Sequence, residues 1–272
     1  MLKLIDLNSE ILDLEKFKKN EISFNLIPYL IKNRGVYPDI RCYSDKEDII
    51  VLNTDINHPV IIWTSDDFNK YEELYHFINN TFFQHNPLYI MANAYCYQFF
   101  KDKGLVDNDS NTKNLGVYKL DKLNLVQKSG YIDCAKKEDV EMIANMLKQF
   151  NQEALPDEQH PFSYYLEEAN KFITCTDRYK VWKDQSGEIT TIGRINIADT
   201  TGRIGCIYTN PQKRGHSYAK MLVQELADII LKDNLLPVLY TNFKYNPSNR
   251  CYQAVGFKLL DVIYTYSIKK NS

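Results

Sequence analysis

The stretch PQKRGHSYAK, residues 211–220, sets Gln212, Lys213 and Arg214 ahead of a single glycine, Gly215, and then runs into a helical pattern. From Tyr218 onward, Ala219, Leu222, Val223, Leu226, Ile229 and Ile230 recur at three and four. This spacing predicts an amphipathic helix ending near Asn234, with Lys220, Gln224, Glu225 and Asp228 off its apolar face. The first amides of such a helix have no partner within it, and the aligned peptide dipoles add a partial positive charge. Gly215 lets an anion approach the backbone, Gln212, Lys213 and Arg214 add donors and charge, and Ser217 is placed either to cap the helix or to meet a phosphate oxygen. The plain reading of Q-x-x-G-x-S is a basic surface turn with a helix cap. The sharper reading is a phosphate site.

Working outward, Ile173 to Trp182, Ile189 to Ile197 and Ile204 to Thr209 read as an antiparallel meander joined by the turns Asp184–Gly187 and Asp199–Gly202. Glu138 to Phe150 and Phe162 to Asn170 read as helices ahead of it. Pro237 to Tyr240 reads as a buried strand, Pro247 to Val255 as a short helix, and Lys258 to Ile268 as a closing strand or hairpin.

The bend, its flanking strands and the later Asn-Pro-Ser-Asn-x-x-Tyr-x-x-x-Gly-Phe together resemble the GNAT superfamily of N-acetyltransferases over roughly residues 130–268. The fold this implies is α+β, a central, mostly antiparallel twisted sheet flanked by helices. The family's Q/R-x-x-G-x-G/A arm, which holds the pyrophosphate of acetyl-CoA, is matched by Gln212 and Gly215, with Ser217 in place of the second small residue. The run R-G-x-G-Y-A of many relatives appears as Arg214, Gly215, His216, Ser217, Tyr218 and Ala219. The second signature is matched by Asn246 or Asn249, Tyr252, Gly256 and Phe257, one residue short of the family's spacing.

The resemblance implies that the strand through Ile207, Tyr208 and Thr209 splays from Val238–Thr241, admits the pantetheine and turns a backbone N–H toward the thioester oxygen. Tyr252 matches the general acid for the departing thiolate, or else packs its ring beneath the cofactor. Glu153 is the candidate that takes the proton of the amine, beside a water chain or a merely solvated glutamate. Eight acidic residues between Glu138 and Asn170 (Glu138, Asp139, Glu141, Glu153, Asp157, Glu158, Glu167, Glu168) against one basic, Lys148, favour a small cationic acceptor or form solvated helix faces.

Apolar residues are 44% of the 272 and charged residues 25%, enough for a buried core; the net charge of −2 excludes the strongly basic field of general nucleic-acid binding. No apolar run is long enough to span a bilayer, and the first residues lack the features of a secretory signal, so a cytoplasmic protein is expected. Six cysteines, far apart and without a C-x-x-C pair, read as buried free thiols. There is no G-x-x-x-x-G-K-[ST], no G-x-S-x-G and no cluster at metal-ligand spacing, and His160 reads as a loop residue.

The polar stretch Asp107 to Asn114 suits a linker, and the border is placed at 127/128: an accessory α/β domain over 1–127 and the acetyltransferase domain over 128–272. LYIMANAYCYQFFKDKGL (88–105) echoes VLYTNFKYNPSNRCYQAVGF (238–257), so the first half is either a degenerate copy, giving a tandem arrangement, or an unrelated domain. Where a phosphate arm would begin it has Thr64-Ser65-Asp66-Asp67-Phe68, and Phe100 stands where Tyr252 does. The expectation is an N-acetyltransferase with acetyl-CoA as cosubstrate and a primary amine attacking directly in a ternary complex. The other class is a CoA-binding sensor without turnover.

Overall fold

The computed structural model describes residues 2–7, 10–55, 58–82, 87–107, 113–155 and 160–269. Asp157 and Glu158 of the acidic tally, and residues 108–112 of the expected linker, lie outside them.

In chain order the elements are β1 (Lys3–Leu4), α1 (Glu15–Asn20), α2 (Leu26–Lys32), β2 (Arg41–Ser44), β3 (Ile49–Asn53), β4 (Val60–Thr64), α3 (Tyr71–Thr81), β5 (Leu88–Ala92), α4 (Ala94–Asp102) and β6 (Lys113–Leu120). There follow β7 (Tyr131–Asp133), α5 (Val140–Ala154), α6 (Phe162–Thr174), β8 (Tyr179–Lys183), β9 (Ile189–Ile197), β10 (Thr201–Thr209), α7 (Tyr218–Lys232), β11 (Leu236–Asn242), α8 (Asn246–Val255) and β12 (Phe257–Ile268). The mixed α/β class expected from the sequence is what forms. Two compact units divide the chain: Met1–Val117 with Thr241–Tyr245 and Leu259–Ser272, and Tyr118–Tyr240 with Asn246–Lys258. The division thus falls ten residues before the sequence-based border, and the chain returns to its first unit twice.

In the first unit β1, β2, β3 and β4 pair antiparallel in sequence order, β4 pairs parallel with β5, and β12 closes the row antiparallel to β5, from Tyr264 opposite Ala92 to Ile268 opposite Leu88. IIVLN of β3 and VIIWT of β4 are continuous apolar runs because both faces are covered. Leu74, Ile78, Cys96 and Phe100 of α3 and α4 pack on one side with Tyr266 and Ile268 of β12. Tyr97 stacks on Tyr264 with centroids 4.6 Å apart and planes 9° from parallel.

The second unit carries β11, β10, β9, β8 and β7 in that order, parallel only between β10 and β11. Helices α5 and α6 cover one face through Ile143, Leu147, Tyr165 and Phe172. Helices α7 and α8 fill a second cluster through Leu222, Leu226, Ile230, Tyr252 and Val255, with Ile204 and Leu239 of the sheet. Gly256, at φ +109°, is demanded by close approach: a Cβ there would lie 1.8 Å from the Lys122 carbonyl oxygen. The same passage is held by Asp121 N–H to the Gly256 carbonyl and Asn124 N–H to that of Val255.

Two expectations are corrected. The strand expected from Ile173 is still helix: α6 runs to Thr174, and β8 begins only at Tyr179. The β-branched pair Ile173-Thr174 suggested a strand, but Tyr165, Ala169 and Phe172 continue a helical stripe of buried residues. Gln224 does not point away from the core. It is 3% exposed, and its side-chain oxygen accepts the Val126 N–H at 2.5 Å, tying residues 124–129 to α7.

Candidate functional site

Every residue singled out from the sequence as catalytic or cofactor-binding falls in the second unit. The parallel ladder joins Thr201–Ile204 to Leu236–Leu239, while β10 continues five residues beyond it, to Thr209. On its other side β10 departs from regular pairing with β9. Gly205 faces Arg194 and Tyr208 faces Ile192, leaving Cys206 and Ile207 opposite Gly193 alone. A bulge of this kind takes one residue out of the ladder and bends the strand. Cys206 carries the strain of it at φ +55°, unusual for a residue with a side chain. No period in the sequence announces this bulge; there Cys206 reads only as one of six free thiols and Gly193 carries no signal.

Beyond Thr209 the chain makes a single 3-10 turn, Pro211–Lys213, whose first amides are met by Asn210: its Oδ1 accepts the Gln212 N–H at 3.1 Å. Gly215 then takes φ +86° and Ser217 φ +64°, and α7 begins. A Cβ on Gly215 would meet nothing within 4 Å, so its backbone is open to approach. Among the described residues, the next backbone amide after that of Arg214 to find an acceptor in the protein is that of Met221, bonded to the Ser217 carbonyl; those of Gly215 to Lys220 have none. Ser217 does not cap α7 with its side chain, so of its two expected roles the capping one is not taken. The His216 ring nitrogen Nδ1 donates to the Arg214 carbonyl at 3.0 Å, and its ring stacks on Tyr218 at 5.6 Å. Ala219 sits in the first turn of α7.

The two cations of the bend are already engaged. Lys213 Nζ reaches Asp184 Oδ2 at 3.2 Å and Glu188 Oε2 at 2.5 Å, both in or beside the β8–β9 turn. Arg214 Nη2 meets both oxygens of Glu153 at 2.9 Å, its Nε donates to the Thr209 carbonyl at 3.2 Å, and its guanidinium lies 5.2 Å from the centre of the Tyr208 ring. Tyr208 donates its hydroxyl to Glu153 Oε1 at 2.9 Å, with Gln149 Oε1 3.2 Å away. Burial alone would raise the Glu153 carboxyl, but Arg214 and Tyr208 outweigh it and hold the group below its ordinary value. That pairing makes Glu153 a weaker base than a free glutamate. Burial, with Glu153 added, pushes the Tyr208 phenol up to about 12.

Tyr252 lies on the buried face of α8 with Asn249 and Val255, while Asn246 is exposed at the first position of the helix. The second signature therefore points inward through Asn249. Burial drives the Tyr252 phenol well above its ordinary value, with Cys251 and Cys206 as its titratable neighbours. The same burial pushes the Cys251 and Cys206 thiols each to about 11. Cys42 and Cys96 are fully buried, whereas the other four cysteines are half-buried rather than core thiols. His160 is exposed and stacks on Tyr164.

In the first unit the stretch without a phosphate arm is sealed. Ser65 Oγ lies 2.7 Å from both Asp48 Oδ1 and Asp67 Oδ1, and Lys16 Nζ joins the same two carboxylates at 2.7 and 2.9 Å. Asn93 Nδ2 donates to Thr64 Oγ1 at 2.9 Å across the ends of β4 and β5.

Residues 187–266 match the family described as FR47-like protein. No curated protein matches the chain. Among solved structures, a Drosophila protein aligns with a TM-score of 0.70 at 12% identity, covering 100% of this chain and 99% of that one. A tandem GNAT protein from the clavulanic acid biosynthesis pathway aligns with a TM-score of 0.64 at 11% identity, covering 100% and 99%. A GNAT-family acetyltransferase from Colwellia psychrerythraea aligns at 0.59 and 13% identity, covering 99% and 100%. At these identities the likeness is one of fold: the chain has the fold of GNAT acetyltransferases, tandem members included. No described helix is long and apolar enough to cross a membrane.

Proposed function

We propose, on the premise of this GNAT-type fold, that the protein is an N-acetyltransferase in which a primary amine attacks acetyl-CoA directly within a ternary complex. The observation that carries the reading is the row of amides from Gly215 to Lys220 without acceptors among the described residues, at the positive end of α7. Such a row receives a diphosphate, and Gly215 leaves the space for it. The segment of β10 beyond the ladder then lies alongside the pantetheine, and an amide of the bulge at Cys206-Ile207 serves the thioester oxygen.

Tyr252 is the acid for the leaving thiolate. Its raised phenol would be a poor donor to a thiol of ordinary acidity near 8.5. A thiolate released in the same apolar surroundings is raised too, as Cys206 and Cys251 are, which narrows the gap. Glu153 is assigned to holding Arg214 and Tyr208 rather than to proton abstraction. The ammonium of an alkyl amine, near pKa 10.4 in water, gives up its proton to solvent as it enters.

The test is release of CoA thiol from acetyl-CoA across a panel of amines, beside calorimetric titration with CoA. Turnover that Tyr252→Phe lowers sharply, with CoA affinity kept, supports the enzyme. Tight CoA binding with no turnover on any amine would favour a sensor.

A further inference from the structure

On β9, Arg194 faces Tyr179 of β8 and Gly205 of β10, one residue from the bulge at Cys206. It stands on the sheet face that α6 covers, since its nearest carboxylate is Glu168 of that helix. That partner is a poor fit. Arg194 Nη1 is 3.6 Å from Glu168 Oε2, beyond hydrogen-bond distance, and Glu168 is already bonded through Oε1 to Lys171. Among the described residues Arg194 Nε is buried with no hydrogen-bond partner. The Tyr179 hydroxyl accepts a hydrogen bond from the guanidinium and the Cys206 thiol lies beside it, and neither supplies a negative charge at neutral pH.

Counting Arg194 and Lys171 against Glu168 leaves one positive charge over. Nature rarely leaves a guanidinium N–H buried and unmet, because the hydrogen bond to water lost on burial is then not replaced. The side chain nevertheless keeps 36% of its surface, so it is reachable from outside. A guanidinium fork takes a planar carboxylate at two points, and a surplus of one charge suits a monoanion better than a phosphate dianion.

We propose that Arg194 binds the carboxylate of the acceptor, making the substrate an amine that also carries a carboxyl group, of the amino-acid class. This rests on the acetyltransferase reading above. It refines the expectation of a cationic acceptor: the ammonium end remains, while the far end of the molecule is anionic. Neither the acidic tally nor the spacing of motifs pointed to Arg194. The cue was the single charged residue of the strand ITTIGRINI.

Two measurements on the full chain test it. The first compares kcat/KM for thiol release between common amino acids and their own amides. The second compares, with CoA present, calorimetric binding of N-acetyl amino acids and N-acetyl amino-acid amides, which does not depend on turnover. At least one acid should be preferred over its amide by about tenfold or more in both. Arg194→Gln should remove that preference, lowering kcat/KM for the acid far more than for its amide, and Arg194→Lys should keep part of it. Acids and amides handled alike by the unaltered protein, or a preference that survives Arg194→Gln, would overturn the assignment. Amines lacking a carboxylate acetylated in place of the acids would sink it and leave the acetyltransferase standing. Selective binding of the acids with no turnover of any amine would uphold Arg194 and remove the enzyme.

Discussion

Arg214 and Glu153, 61 residues apart in the chain, are joined at two points, both carboxylate oxygens lying 2.9 Å from the guanidinium Nη2. The pair ties the bend before α7 to the last turn of α5, and the Tyr208 hydroxyl locks into the same carboxylate. Glu153→Gln should therefore raise the KM for acetyl-CoA and leave kcat within about tenfold, whereas loss of a true general base removes about 10²–10⁴. Steady-state kinetics on the variant separate the two.

The same carboxyl gives a pH signature. Its folded value lies below its unfolded one, so its contribution is present above the unfolded value and is lost as pH falls through the folded value. Both partners are about half exposed, which limits the effect to about 0–1 kcal/mol. Urea unfolding of the protein and of Glu153→Gln should differ at pH 6 and converge at acid pH. A difference that grows on acidification would contradict the pairing.

Tyr252→Phe should lower kcat by about a hundredfold with CoA affinity unchanged, since only the proton is removed from a ring that stays packed in its cluster. Because burial holds the phenol protonated far into the alkaline range, its ionisation should produce no fall in kcat up to about pH 10. Stopped-flow pH–rate profiles would reveal an earlier break if Tyr252 were an ordinary exposed phenol.

Gly215→Glu should abolish CoA binding while circular dichroism stays native, because the side chain enters open space but sets a carboxylate where phosphates are proposed to sit. Gly215→Ala separates charge from backbone: at φ +86° it should cost roughly 1–2 kcal/mol of stability and far less affinity. Calorimetry and thermal melts read the two effects independently. Unchanged affinity in Gly215→Glu would remove the phosphate assignment.

Deleting Leu259–Ser272 should unfold the first unit. Ile263, Tyr266 and Ile268 are at most 2% exposed, and each such side chain is worth roughly 1.5–3 kcal/mol, a sum comparable to the whole stability of a domain. Hydrogen exchange of β5, which loses its neighbour, is the direct readout.

Local pattern made much of this legible. The periodicity of α7, the apolar run of β11 and the glycine of the bend all act within a few residues, and each was readable. The pattern alone sends Gln224 to solvent, because nothing in the sequence marks the distant backbone amide, Val126, that claims it. Tyr208, Glu153 and Arg214 each stand out in the sequence, but their union depends on three elements meeting and has no signature in spacing. The same holds for Arg194, whose meaning lies in what does not reach it.

The strand β12 leaves the ribosome some 170 residues after Leu88–Ala92, which waits for it. At about 5–20 residues per second, the nascent first unit spends on the order of ten seconds or more with β5 presenting an open edge. Any strand of suitable pattern can dock there in the interval, including the same segment from a neighbouring copy, which would yield an exchanged dimer. Synthesis at low temperature or high expression should therefore enrich such dimers, whereas a permuted gene that starts at Leu259 would give the edge its partner first.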